Sequence, residues 1–280
     1  MNVLEKVVTF NELRNARNGL PEPVGFVPTM GFLHKGHLSL VKRACEESAS
    51  VVVSIFVNPT QFAPTDDLDA YPRDLERDAA LLKEAGANLL WTPTPEVMYP
   101  PDFQTWVDVE RLTAPLEGTK RPGHFRGVTT VVAKLFNAVQ PQMAFFGQKD
   151  AQQAAVIRQM VRDLNMPVEI LTLPIVRERD GLAMSSRNTY LNPAERQAAL
   201  CLSQSLKAAQ SAYEKGERNA ESLRALMREI INAEPLARLE YVSCADYDSL
   251  AELDEISAKA LLSMAVYIGS TRLIDNIVLG

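Results

Sequence analysis

"VGFVPTMGFLHKGHLSLVKRACEESASVVVSIFV", residues 24–57, decides the fold. VGFVPT (24–29) is a short apolar run and reads as a buried strand. A glycine-bearing turn follows, and HLSLVKRACEES (37–48) then spaces its apolar residues as a helix does. SVVVSIFV (50–57) is the strongest strand in the chain, because β-branched side chains pack well on a pleated surface. Strand, turn, helix and strand in that order make a βαβ unit, whose two strands run parallel.

The alternation continues outward from this stretch. A helix is expected from about Arg73 to Ala85 and a strand at NLLWTP (88–93). After a Pro-rich connection come TWVDV (105–109), the helix GVTTVVAKLFNAV (127–139) and the strand MAFFG (143–147). DAQQAAVIRQMVRDLN (150–165) reads as a helix leading to the strand VEILTLPIV (168–176). The expected class is α/β: a Rossmann-like, mostly parallel sheet with helices on both faces. Such sheets bind ligands at the carboxyl ends of their strands, where strand order reverses.

From about Arg177 the pattern changes. Asn192, Pro193 and Glu195 form a helix-start signature ahead of a long amphipathic stretch, and another helix is expected over roughly 219–233. LEYVSCADY (239–247), LLSMAVYIG (261–269) and TRLIDNIVL (271–279) read as antiparallel strands. The expectation is therefore a first domain over residues 1–175 that carries the ligand crevice. A smaller C-terminal α+β domain, 176–280, would close over the site.

Composition limits what the chain does. With 280 residues, 46% hydrophobic and 23% charged, it has material for a sizeable core. A net charge of -6 argues against nucleic-acid binding, which favours a basic face. Three scattered cysteines form no CxxC pair and no disulfide framework. No run approaches the ~18 apolar residues of a membrane span, and no signal-peptide core is present. The expectation is a cytoplasmic protein that binds no membrane.

The chemistry starts at TMGFLHKGH. Gly31 and Gly36 are spaced as in a P-loop, but His37 and Leu38 stand where Lys and Ser/Thr belong, so that motif fails. What remains is a strand, a tight turn and a helix beginning near His37, whose N–H groups and dipole favour phosphate. His34 and His37 would share one helix face, about 5–6 Å apart at Cβ. Imidazole can donate to phosphate oxygens and so stabilise charge that develops in a transition state.

The spacing of HKGH (34–37) resembles the H-x-G-H nucleotide signature of the adenylyl-transferring α/β superfamily. DGLAMSSRNTYL (180–191) stands where that superfamily carries a mobile loop, offering hydroxyls and a guanidinium fork to a triphosphate. FVNPTQF (56–62), YPRDLERD (71–78), KRPGHFRGVTTVVAKLFN (120–137) and FFGQKDAQQ (145–153) narrow the likeness. In ordered motifs from residue 28 to at least 191, the chain is similar to the pantothenate synthetase (pantoate–β-alanine ligase) family.

That resemblance implies a two-step ligation of pantoate and β-alanine by way of a pantoyl-adenylate. It makes His37 and His34 catalytic together with Lys149. It places ATP on Met30, Gly31, His34, His37, Gly147, Lys149, Asp150, Val176, Met184, Ser185, Ser186 and Arg187. Pantoate would meet Gln61, Gln153, Asn58 and Met30. An amide both donates and accepts, so it can read a hydroxyl without imposing charge. Magnesium would accompany ATP, held mostly by phosphates and water, with Asp78 as the protein-side candidate. The family also implies a homodimer. Gln148, Ala151 and Arg77 depart from its usual residues, and none removes a catalytic group.

Two other readings stay open on the residues alone. One is an enzyme of the same superfamily that adenylates a phosphate ester, which would need a cationic acceptor pocket. The other is a regulatory module that binds nucleotide without turnover.

Overall fold

The computed structural model describes residues 4–62 and 68–280. The chain divides into two compact units. The first holds Met1–Gln148 and Gln152–Pro174, and the second Lys149–Ala151 and Ile175–Gly280.

In the first unit the elements run β1 (Glu5–Val7), α1 (Phe10–Asn18), β2 (Val24–Thr29), α2 (Lys35–Glu47), β3 (Ser50–Ile55), α3 (Leu75–Ala85) and β4 (Leu89–Trp91). They continue with α4 (Pro95–Met98), α5 (Glu117–Lys120), α6 (His124–Val139), β5 (Met143–Gly147), α7 (Ala151–Asp163) and β6 (Glu169–Leu173). The six strands form one parallel sheet in the order β1-β4-β3-β2-β5-β6.

Strand geometry turns successive side chains to opposite faces, and both faces here are apolar. Val24 and Phe26 of β2, Val52 of β3 and Phe146 of β5 pack with Leu13 of α1, Val132 of α6 and Ile157 of α7. Their neighbours Val27, Val51, Val53 and Phe145 pack instead with Leu40 and Val41 of α2 and Leu82 of α3. The sheet is therefore covered on both sides. Strand order reverses between β2 and β5, which opens the crevice that such sheets use for ligands.

The second unit continues with α8 (Pro193–Ala198), α9 (Leu200–Glu214), α10 (Ala220–Asn232), β7 (Ala237–Asp246), β8 (Ala260–Ile268) and β9 (Thr271–Leu279). Its three strands are antiparallel in the order β7-β8-β9. Leu262, Met264 and Val266 of β8 share a core with Leu202 and Leu206 of α9 and with Leu223 and Met227 of α10. The α8 cap is reciprocal: Glu195 N donates to Asn192 Oδ1 and Asn192 N donates to Glu195 Oε2, both at 3.0 Å.

Three details differ from the expectations. β1 and α1 precede the first strand expected, and β1 pairs with β4 at the sheet edge. Helix α2 begins at Lys35, two residues before His37. Residues 105–109 lie in neither sheet: Val107 N donates to Thr130 Oγ1 at 3.0 Å, and Thr129 Oγ1 donates to the Val107 carbonyl at 2.6 Å. That segment is tied to helix α6 rather than to a strand.

Candidate active site

The turn from β2 into α2 is built by hydrogen bonds from three directions. Thr29 Oγ1 donates to the Ser54 carbonyl at 2.9 Å and accepts the Gly31 N–H at 3.2 Å. Gly31 sits at φ +83, and a Cβ there would lie 2.9 Å from Ile55 Cγ2. Only glycine meets both demands without strain. Phe32 follows at φ 48, a conformation that costs energy for a side-chain-bearing residue.

Asp78 of α3 holds this strained pair in place. Phe32 N donates to its Oδ2 at 2.6 Å and Leu33 N to its Oδ1 at 2.8 Å. Arg77 adds a bond to the Leu33 carbonyl at 2.9 Å and lies 3.5 Å from Asp78 Oδ1. The Asp78 side chain is 1% exposed. Its burial pushes the carboxyl above its ordinary value, against the pull of the two N–H groups and Arg77. The metal-ligand expectation for Asp78 is thereby corrected: both oxygens are committed to the backbone of the turn. Among the described residues no group of three or more His, Cys, Asp or Glu is placed to hold a metal. Those residues do not offer magnesium a cage of their own.

His34 is the N-cap of α2, and His37 is the third residue of the helix. Gly36 N donates to His34 Nδ1 at 3.1 Å, and His34 N donates to His37 Nδ1 at 3.4 Å. Two imidazoles thus make the reciprocal bonds that Ser/Thr and Glu usually make at a helix start. The ring centroids are 4.0 Å apart. A ring nitrogen that accepts an N–H carries no proton, so the proton of each ring is assigned to Nε2. The pair adds two N–H donors to the positive end of the helix.

At the carboxyl end of β3, Asn58, Thr60 and Gln61 form a second cluster. Asn58 is buried and caps the short 59–61 turn. Its Nδ2 donates to Gln61 Oε1 and to the Gly127 carbonyl, each at 3.2 Å. Its Oδ1 accepts from the Tyr99 hydroxyl at 2.8 Å, Thr60 Oγ1 at 2.9 Å and Thr60 N at 3.3 Å. Both hydrogens of that amide are used within the cluster, so Asn58 holds its neighbours in place. Gln61 Nε2 lies 3.1 Å from Met30 Sδ, which brings Met30, Asn58 and Gln61 together.

The Gln61 carbonyl accepts from His124 Nδ1 at 2.8 Å and from Arg121 at 3.4 Å. Gly147 closes β5, and Gln153 lies half-buried on α7. The preceding amide, Gln152, is committed to the 112–117 loop: it accepts from Glu117 N and donates to the carbonyls of Leu112 and Pro115.

In the second unit Lys149 and Asp150 form a short turn whose Lys149 carbonyl accepts from Asn276 Nδ2 at 2.9 Å. Val176 and Met184 face each other in a hairpin, with Met184 N donating to the Val176 carbonyl at 3.0 Å. Ser185 then caps the 186–190 turn, its Oγ accepting from Arg187 N at 3.3 Å, and Ser186 is buried. Sequence reading alone missed Tyr99, Gly127, Asp275 and Asn276. Their partners lie 41 to 127 positions away, and no local pattern marks such contacts.

A histidine-capped helix stands at the switch point of a parallel sheet, the place where an α/β protein of this class takes an anionic ligand such as phosphate. The family described as Pantoate-beta-alanine ligase matches residues 2–278. The pantothenate synthetase of Roseiflexus castenholzii is 59% identical over 273 residues, covering 98% of each chain. That of Pelotomaculum thermopropionicum is 57% identical over 279 residues, covering 100% of this chain and 98% of its own.

Among solved structures, the pantothenate synthetase of Thermus thermophilus aligns with a TM-score of 0.94 at 50% identity, over 98% of this chain and 99% of its own. The pantoate-beta-alanine ligase of Francisella tularensis, solved complexed with beta-gamma ATP and beta-alanine, aligns with a TM-score of 0.82 at 33% identity, over 98% of this chain and 97% of its own. The chain belongs to the pantoate–β-alanine ligase family.

Proposed function

We propose that this chain condenses pantoate with β-alanine to pantothenate, driven by ATP. In the first step a pantoate carboxylate oxygen attacks the α-phosphorus of ATP. The bond from that phosphorus to the bridging oxygen breaks, and pyrophosphate leaves. In the second step the neutral amine of β-alanine attacks the acyl carbon of the adenylate. The C–N bond forms, the C–O bond to AMP breaks, and the nitrogen gives up a proton. The relatives' names and the Francisella ligase's bound ATP and β-alanine support this reading.

The observation that carries it is the histidine pair. His34 and His37 direct Nε2–H donors to phosphate oxygens, stabilising charge as it moves onto pyrophosphate. The family resemblance assigns ATP phosphates also to Lys149, as a cation, and to Met184, Ser185, Ser186 and Arg187. Gly147 and Asp150 hold the ribose, Val176 offers backbone to adenine, and Gly31 lets the turn approach the nucleotide. Gln61 and Gln153 bind pantoate, with Met30 at its junction with ATP. Magnesium would accompany the nucleotide, held by phosphate oxygens and water, and would help neutralise the triphosphate charge. No helix among the described residues is long and apolar enough to cross a membrane. The reading includes a homodimer working in the cytoplasm, and sedimentation tests the first of these.

The test is to incubate the protein with Mg-ATP and pantoate, with and without β-alanine. The expected result is stoichiometric pyrophosphate without β-alanine and sustained AMP release once it is added. No pyrophosphate in either case overturns the reading.

A further inference from the structure

Gln61 is a symmetric-looking group, an amide that could turn either its oxygen or its nitrogen outward. The structure fixes which. Thr60 N can only donate and the Gly127 carbonyl can only accept, and both are bonded to the Asn58 amide. Asn58 is therefore oriented with Oδ1 toward Thr60 and Nδ2 toward Gly127. A flipped Asn58 would set oxygen against carbonyl and N–H against N–H. With Nδ2 also facing Gln61, the end of Gln61 that meets it is Oε1, which leaves Nε2 on the Met30 side.

Tyr99 completes the lock. Its hydroxyl donates to the same Asn58 Oδ1 at 2.8 Å. Its ring is held by Phe56, Phe103 and Trp106, with centroids 5.1 to 6.4 Å away. Burial raises the phenol's pKa further above neutrality, so the hydroxyl stays a donor.

We propose that Tyr99 is a positioning and specificity-determining residue: acting through Asn58, it makes Gln61 present Nε2–H to the substrate. The pocket then recognises an oxygen that accepts, such as a carboxylate or hydroxyl oxygen, and rejects a group that can only donate, such as an ammonium, at the same place. This rests on the reading of Gln61 as a pantoate contact.

The experiment compares wild type with Tyr99→Phe, which keeps the ring and removes the donor. The pantoate KM should rise about five- to tenfold, the scale of one neutral hydrogen bond. The KM for ATP should stay within about twofold. An unchanged pantoate KM, or equal rises for both substrates, overturns the proposal. In a Gln61→Glu background, which has no Nε2 donor, Tyr99→Phe should add almost nothing; additive losses mean that Tyr99 acts elsewhere.

If Tyr99→Phe does not fold, Thr60→Val removes a second donor to the same oxygen and should show the same split. A substrate-free readout separates this proposal from the pantoate assignment. In protein labelled with 15N-glutamine, the Gln61 side-chain amide resonances should shift in Tyr99→Phe, and unmoved resonances overturn the relay. A wild type that releases no pyrophosphate with pantoate overturns the substrate assignment alone.

Discussion

Asn276 Nδ2 donates to the Lys149 carbonyl at 2.9 Å, linking the last strand to a turn 127 positions earlier. The neighbouring Asp275 grips Arg177 with two bonds of 2.7 and 2.9 Å, and Arg177 donates to the Gly181 carbonyl at 3.1 Å. Strand β9 is thus the common anchor of the Lys149 turn and of the hairpin leading to Ser185 and Arg187. Asn276→Ala frees the turn without touching the ammonium group. The ATP KM is expected to rise about five- to tenfold, with pantoate KM unchanged. Steady-state kinetics with each substrate varied checks this, and an unchanged ATP KM means other contacts hold Lys149.

Asp275→Ala should act on stability instead. It leaves the guanidinium of Arg177 without its buried carboxylate, and losing one partner of such a pair costs about 3–5 kcal/mol. Asp275 is 1% exposed but Arg177 is 25% exposed, so water will solvate part of the stranded charge and the lower end is expected. Urea unfolding of the two proteins measures the difference.

The cap made by two imidazoles lets the structural role of His34 be separated from the phosphate contact proposed for it. His34→Ala should lose both the cap, about 1 kcal/mol of stability, and the donor to phosphate. His34→Asn should restore the cap, since asparagine is among the best N-cap residues, while its shorter side chain leaves the activity low. His37→Ala should slow pyrophosphate release by about two to three orders of magnitude, as expected for a lost preorganised donor. Single-turnover pyrophosphate release and thermal melts read these effects separately. An unchanged release rate in His37→Ala would remove that histidine from the chemistry.

These residues also show what the sequence makes legible. The βαβ order and the sheet's class follow from local periodicity, and HKGH is a local spacing, so both are visible in one stretch. β1 is only three residues long, and α1 buries just Leu13 and Arg17, so neither gives a strong apolar period. His34 lies outside the helix because an imidazole Nδ1 can cap as a carboxylate does, which residue type alone does not show. Asp78 looks like a metal ligand in sequence because its partners, two N–H groups 45 and 46 positions away, appear only in the fold. The relay from Tyr99 to Gln61 is hidden for the same reason.

Asp78→Asn tests the turn-holding role directly. An amide keeps one acceptor and sets a donor against the other backbone N–H, so a loss of about 1–3 kcal/mol is expected together with a raised ATP KM. The pH dependence has a definite sign. Asp78's folded-state pKa is raised, so between its ordinary and raised values the folded chain holds more protons than the unfolded one. Stability from this group therefore falls as pH rises through that window. The wild type's advantage over Asp78→Asn should be largest at acid pH, shrink just above the ordinary carboxylate value, and then level off. Urea unfolding of both proteins across that range checks it, and a growing advantage with rising pH would reverse the assignment.

Gly127 concerns the second cluster. A Cβ at this position would lie 2.4 Å from the Thr60 carbonyl oxygen and 2.8 Å from Gln61 N, both backbone atoms. No side-chain rotation relieves that contact, so Gly127→Ala must move α6 away from the turn that carries Asn58 and Gln61. Overpacking of this kind costs about 1–3 kcal/mol. The shift also stretches the bond from Asn58 Nδ2 to the Gly127 carbonyl, which helps set the Asn58 orientation. The expected outcome is a lower unfolding midpoint together with a raised pantoate KM, while ATP KM stays close to that of wild type. Binding calorimetry with each substrate separates the two effects. Equal losses for ATP and pantoate would mean that the α6 contact supports the whole first unit rather than the turn beside it.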